Sequence, residues 1–428
     1  MNILRIANGR VIDPSQAIDE VIDVWVVDSK VHKVGPEEQM EPTETIDATG
    51  MIVCPGLIDM HVHLREPGDR VDETIFTGSK AALVGGVTSV ACMPNTSPAI
   101  DTQAAAEFIY LQAERANHAN VFPIGAVTKG RTGEELAELG GLHEGGAVAF
   151  TDHDCPIASA EVMRRALEYC GMFDTPVLCH AEDTNLTRRG VMNEGFESMR
   201  LGVRGIPHAA EEVMIYRDIE LARLTGGKLH ILHVSTAGGV ELIRRAKADG
   251  VRVTAEVCPH HFTLTETQMR SLNSNFKMAP PLRTQADMEA ILLGLQDGTI
   301  DVIASDHSPL APEKTMRELD LTPFGVIGLE TLLPVCITKL IRTEILTWSQ
   351  LIEKLTAAPA NILGIKRGTL KARAEADITL IDPEPQWTID VSKFESKSKN
   401  SPFDQWHVRG RAHLTIVSGQ VRHVATSL

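Results

Sequence analysis

The polar and apolar positions of the chain fall into two textures. Near the N-terminus, LRIANGRVID, EVIDVWVVDSKVHKVG and TIDATG alternate apolar with polar residues in short runs broken by Gly, Asn, Asp and Pro. Period-two alternation between turn residues predicts short, half-buried strands. The C-terminal segments ADITLIDP and RAHLTIVSGQVRHV have the same character. Between them, apolar runs of strand length alternate with helix-period stretches. Eight strands are predicted: LIDMHVHL, VTSVACM, VFPIGAV, AVAFTD, PVLCHAE, KLHILHV, VRVTAEV and DVIASD. Helices are predicted over 104–119, 160–170, 210–224, 240–248 and 287–295. Eight strand–helix units predict an α/β fold, a TIM (β/α)8 barrel, rather than an open doubly wound sheet. Each β-rich end alone is too short to bury a core. The two ends are therefore expected to join in one small β-sandwich domain, 1–53 with 366–428, beside a barrel over 54–365.

Composition narrows the function classes. The 428 residues are 43% hydrophobic but only 4% aromatic, so an aliphatic core is expected. The net charge of −16 argues against nucleic acid or an anionic membrane surface as partner. A small anionic substrate needs only a local positive spot and stays open. Seven cysteines without a CxxC pair speak against a disulfide framework and for a reducing cytoplasm. The start, MNILRIANGRVIDP, does not read as a signal peptide, and no apolar run reaches membrane-spanning length.

The chemistry lies where the predicted strands end. In PGLIDMHVHLREPG, side-chain alternation puts Asp59, His61, His63 and Arg65 on one face and Ile58, Met60, Val62 and Leu64 on the other. Two imidazoles at this spacing can grip one metal ion, although an isolated HxH is as readily a pair of structural histidines. His180 in PVLCHAED, His233 in KLHILHVSTA and Asp306 in DVIASDHSP end three further strands. Barrel active sites form at the C-terminal ends of strands. Metal-type ligands on four separate strand ends predict a metal centre at the barrel mouth.

PGLIDMHVHLREPG, together with GGVTSVACMPNTSP, CHAED, ILHVSTA, VCPHHFTLT, PFGVIGLET, ADITLIDP and KSKNSPF, resembles the dihydroorotases of the amidohydrolase superfamily over nearly the whole chain. The resemblance implies that His61, His63 and Asp306 hold one zinc and that His180 and His233 hold a second. It implies reversible hydrolysis of dihydroorotate to N-carbamoyl-L-aspartate in pyrimidine synthesis, with Asp306 carrying the proton. His63, Arg65, Asn95, Phe324 and Gly325 are implied on the substrate side, Arg65 and Asn95 at its carboxylate. A guanidinium suits that task because it binds carboxylates bidentately. A homodimer and aspartate transcarbamoylase are the implied protein partners.

Three positions depart from the family pattern. Related enzymes bridge two metals with a carboxylated lysine or with the second aspartate of a TDDG-like run. No lysine occurs between Lys129 and Lys228, and FTDHDCP puts His153 at the bridging position. Asp152, His153 and Asp154 all remain candidate ligands there. Ala279 and Leu310 replace an asparagine and a histidine of the pattern and lean toward allantoinases. Two alternatives follow: a related cyclic ureide hydrolase of the allantoinase or hydantoinase type, or an inactive scaffold for aspartate transcarbamoylase. His260, His261 and Arg283 are expected near the barrel mouth without an assigned role.

Overall fold

The computed structural model describes residues 2–36 and 39–426. Parallel strands Leu57–Val62, Val87–Cys92 and Asn120–Pro123 form one arc; Val177–Cys179, Leu229–Ile231, Val253–Val257 and Val302–Ile303 form another. Parallel bridges from Phe150 to Gly125 and to Val177 join the arcs on one side, and a bridge from Val62 to His307 closes the other. All eight predicted segments thus take their places in a closed TIM-type barrel, AVAFTD with only a minimal contact at Phe150.

The helix predicted from 160 begins there, whereas three others begin earlier than the apolar periodicity suggests, each behind a capping threonine. Thr102, Thr236 and Thr284 accept from backbone N–H groups in the first turns of Gln103–Ala116, Ala237–Ala248 and Gln285–Gln296. Each cap satisfies an otherwise orphaned donor.

Below the rim the barrel interior carries an apolar layer beside a polar group of His230, Thr254 and Glu256. Met60, Ala91, Ile124, Ala149, Leu178, Leu232 and Val302, from seven strands, form one buried cluster. Only an interior layer can draw on so many strands. Alternation puts Met60 on the face of Ile58, Val62 and Leu64, which in a barrel packs on the helices. Met60 joins this layer instead, in a strand whose pairing with Val87–Cys92 is irregular between Asp59 and Val62. Strict alternation fails there.

Both chain ends contribute to a six-stranded sheet in which Ile378–Thr388 pairs antiparallel with Ile52–Pro55 and His407–Val417. A four-stranded sheet of Lys30–Val34, Val24–Val27, Ile3–Ala7 and Glu44–Asp47 packs against it. Leu4, Ile6, Val24, Ile378, Leu380 and Ile416 share the core between them. Burying one face of each sheet against the other is what makes these short strands stable.

Candidate metal centre

At the C-terminal rim, five imidazoles and one carboxylate gather in two overlapping clusters. His61, His63, His153 and Asp306 place ligand atoms within 4.8 Å of one another, as do His153, His180 and His233. All six residues are buried. Neighbouring rings are close: His153 lies 4.6 Å from His61, 4.8 Å from His63, 5.0 Å from His180 and 5.6 Å from His233, centre to centre.

The first cluster is held from behind. His61 Nδ1 pairs with the Glu256 carboxylate, and His63 Nδ1 lies 2.7 Å from Asn95 Oδ1. These contacts turn both Nε2 atoms toward Asp306 Oδ1, at 3.3 and 3.4 Å, where neither nitrogen has a hydrogen-bond partner. Histidines that ligate metals commonly pass their other nitrogen to such a carboxylate or amide. Glu256 went unnoticed in the sequence. Its one signal was a lone carboxylate inside the apolar strand VRVTAEV.

The second cluster is looser. His180 Nδ1 lies 2.8 Å from His233 Nε2, and His180 Nε2 lies 2.9 Å from Glu182 Oε2. Two prospective ligand atoms thus face each other. The His233 backbone N–H reaches Glu256 Oε1 at 3.4 Å, but among the described residues no side-chain hydrogen bond holds the far side of the His233 ring.

His153 belongs to both clusters because its neighbours are tied elsewhere. Asp152 accepts from Thr128 N–H at 3.0 Å and from the Thr128 hydroxyl. Asp154 accepts from Arg131 at 2.6 Å and from Asn95 at 2.9 Å. His153 alone of the three points into the centre, with both ring nitrogens buried and unpartnered. A neutral imidazole has one free lone pair, so it serves one cation at a time.

Charge is distributed to match. Burial would lower the His61 pKa, but the Glu256 and Asp306 carboxylates outweigh it and raise it to about 9. Burial lowers His63 to about 4 and keeps His153 and His233 well below the usual histidine value. Burial would raise the Asp306 pKa; the surrounding imidazoles, His61 first, hold it well below the usual carboxylate range instead. An ionised carboxylate among largely neutral imidazoles is a donor set suited to zinc. The orphaned nitrogens of His61, His63 and His153 make the same point, since buried polar atoms without partners are otherwise costly.

The clusters open into a cavity of about 950 Å³. Arg65 lines it, donating through Nη2 to Ser308 Oγ at 2.9 Å and through Nε to the Pro309 carbonyl at 3.3 Å. Asn95, Phe324 and Gly325 line it too, as do Ala279 and Leu310. Gly325 has φ +136°, and a Cβ there would meet Ser308 Oγ at 2.7 Å, so only glycine fits. Arg65, Asp154, His233 and Asp306 also take left-handed backbone conformations, a local strain typical of functional sites. Arg283 lies outside this cavity's lining. It donates to Asn193 Oδ1 at 2.8 Å and to the Ile206 carbonyl at 2.7 Å, which is a structural role.

A closed parallel barrel with a histidine–aspartate metal centre at its mouth defines a metal-dependent hydrolase of the cyclic-amidohydrolase class. L-Hydantoinase (dihydropyrimidinase) from Arthrobacter aurescens has this fold. It superposes with a TM-score of 0.89 over 100% of this chain and 98% of its own, at 26% identity. The Dihydro-orotase-like family matches residues 50–238. The dihydroorotase of Syntrophotalea carbinolica is 50% identical over 423 residues, covering 99% of each chain. That of Citrifermentans bemidjiense is 51% identical over 426 residues, 99% of this chain and 100% of its own. The chain belongs to the dihydroorotase family.

Proposed function

We propose that the protein is a zinc-dependent dihydroorotase, interconverting dihydroorotate and N-carbamoyl-L-aspartate in pyrimidine synthesis. The observation that carries this reading is the convergence of His61, His63, His153, His180, His233 and Asp306 at one rim, above a cavity lined by Arg65. His61, His63, His153 and Asp306 would hold one cation, and His180 and His233 a second. Bound zinc supplies Lewis acidity, polarising the ring amide carbonyl and making water acidic enough to attack near neutral pH.

The chain's own groups do the rest. Asp306, ionised in the resting site, accepts the proton of the attacking water, then returns it to the ring nitrogen as the C–N bond breaks; ring closure reverses both transfers. The Arg65 guanidinium and the Asn95 amide bind the substrate carboxylate, and His63 and Phe324 border the ring. Gly325 lets its backbone run close against Ser308 in the cavity wall, where the ring would lie. A chelator-treated sample should lose dihydroorotate ring opening and regain it with zinc. Failure to open dihydroorotate after zinc loading would refute the assignment.

One observation favours a second reading. Ala279 and Leu310 face the cavity where an asparagine and a histidine would pair with substrate. Leaving substrate groups unpaired costs roughly 1–3 kcal/mol each. A hydantoinase or allantoinase would show higher kcat/KM for hydantoin or allantoin than for dihydroorotate. Among the described residues no helix is long and apolar enough to cross a membrane. We place the protein in the cytoplasm, consistent with seven unpaired cysteines. A second copy of the chain and aspartate transcarbamoylase are the proposed partners, to be tested by sedimentation of the protein alone and in mixture.

A further inference from the structure

A third cluster of ligand-type side chains lies outside the rim site. Strand Val253–Val257 ends in Cys258-Pro259-His260-His261, where the His261 N–H donates to the Cys258 carbonyl at 2.9 Å and closes a tight turn. The turn folds the three side chains together. The Sγ and one ring nitrogen of each histidine lie within 4.8 Å of one another, and the two ring centres are 4.3 Å apart. Cys258 is 0%, His260 1% and His261 3% exposed.

The two histidines are arranged as ligands are. His261 Nε2 lies 3.0 Å from the Pro280 carbonyl. A carbonyl only accepts, so Nε2 carries the proton and Nδ1 keeps its lone pair. That Nδ1 is buried and has no partner, and neither has His260 Nε2. Fixing one ring nitrogen on a backbone carbonyl while the other is left bare is how metal-binding histidines are oriented. Packing alone would bury two unsatisfied nitrogens beside a thiol with nothing to offset the loss.

We propose that Cys258, His260 and His261 form a third metal site, for a soft divalent cation of the zinc class. Thiolate with imidazole selects such a cation over the hard ions that carboxylates prefer. On binding, a sulfur–metal bond forms and the thiol proton leaves to solvent. The role is structural. Glu256, two residues before Cys258, holds His61, and a cation on the turn fixes the end of the strand that carries it.

The test uses the intact protein loaded with zinc. X-ray absorption at the zinc edge should show a sulfur scatterer at about 2.3 Å beside the nitrogen and oxygen shell. Sulfur is absent from both rim clusters, so this signal belongs to the turn alone. Cobalt-substituted protein should show a near-ultraviolet thiolate-to-cobalt charge-transfer band. Cys258→Ser should lose that band and one metal equivalent per chain. Zinc-loaded protein with only nitrogen and oxygen scatterers, or a band that survives Cys258→Ser, would overturn the proposal. Should Cys258→Ser fail to fold, the absorption spectrum of the unmodified protein decides by itself.

Discussion

The two rim clusters share His153 but differ in how they are held. His61 and His63 are braced by Glu256 and Asn95, and both turn a bare nitrogen to one ionised carboxylate. His180 and His233 instead meet each other at 2.8 Å, with Glu182, among the described residues, the only side chain hydrogen-bonded behind them. A braced site meets its cation without reorganising. An unbraced one must first separate two ligand atoms that already interact. The difference teaches that imidazoles make a stronger site where a carboxylate joins them and their other nitrogens are held from behind.

The comparison can be broken most severely at the carboxylate of the braced cluster. Asp306→Asn removes the proton carrier and the anionic ligand of the braced cluster. Turnover should fall by about 10³-fold or more, while circular dichroism shows an intact fold. Substantial residual activity would exclude Asp306 as proton carrier.

Glu256→Gln strikes the brace itself. It should weaken the first cation by about 10–100-fold, read by competition with a chromophoric chelator. Glu182→Gln should shift only the second, more weakly held equivalent. Equal effects of the two substitutions would erase the distinction. His153→Asp sharpens it in the other direction, because a carboxylate offers oxygens to two cations where imidazole offers one lone pair. The second equivalent should then bind about tenfold tighter or better.

A smaller effect is expected at the substrate end. Arg65→Met should raise KM for dihydroorotate about 10–100-fold by removing a charged hydrogen-bonding group, with metal content unchanged. An unchanged KM would mean that the carboxylate is held elsewhere.

Much of this arrangement was legible along the chain because strand alternation and polar strand ends are local signals. The barrel, the composite β sheets, and His61, His180, His233 and Asp306 on separate strand ends all followed from that pattern. What the chain hid was long-range. Nothing local in FTDHDCP says that Thr128 takes Asp152 and that Arg131 with Asn95 takes Asp154, and only those contacts leave His153 to the centre. Glu256 was invisible as a brace because its partner, His61, is 195 residues away. Met60 was misplaced because a pairing irregularity overrides alternation in its strand.

The central claim is that the barrel rim holds two unequal metal sites and that the braced one, with Asp306, carries dihydroorotate ring opening. It is tested most directly by stepwise chelation, following zinc content and activity together. The account predicts that one zinc per chain leaves the rim first, that the second leaves only at higher chelator concentration, and that ring opening ends with the second and returns on reloading. Ring opening that persists in zinc-depleted protein, or rim sites that release zinc in a single step, would contradict it.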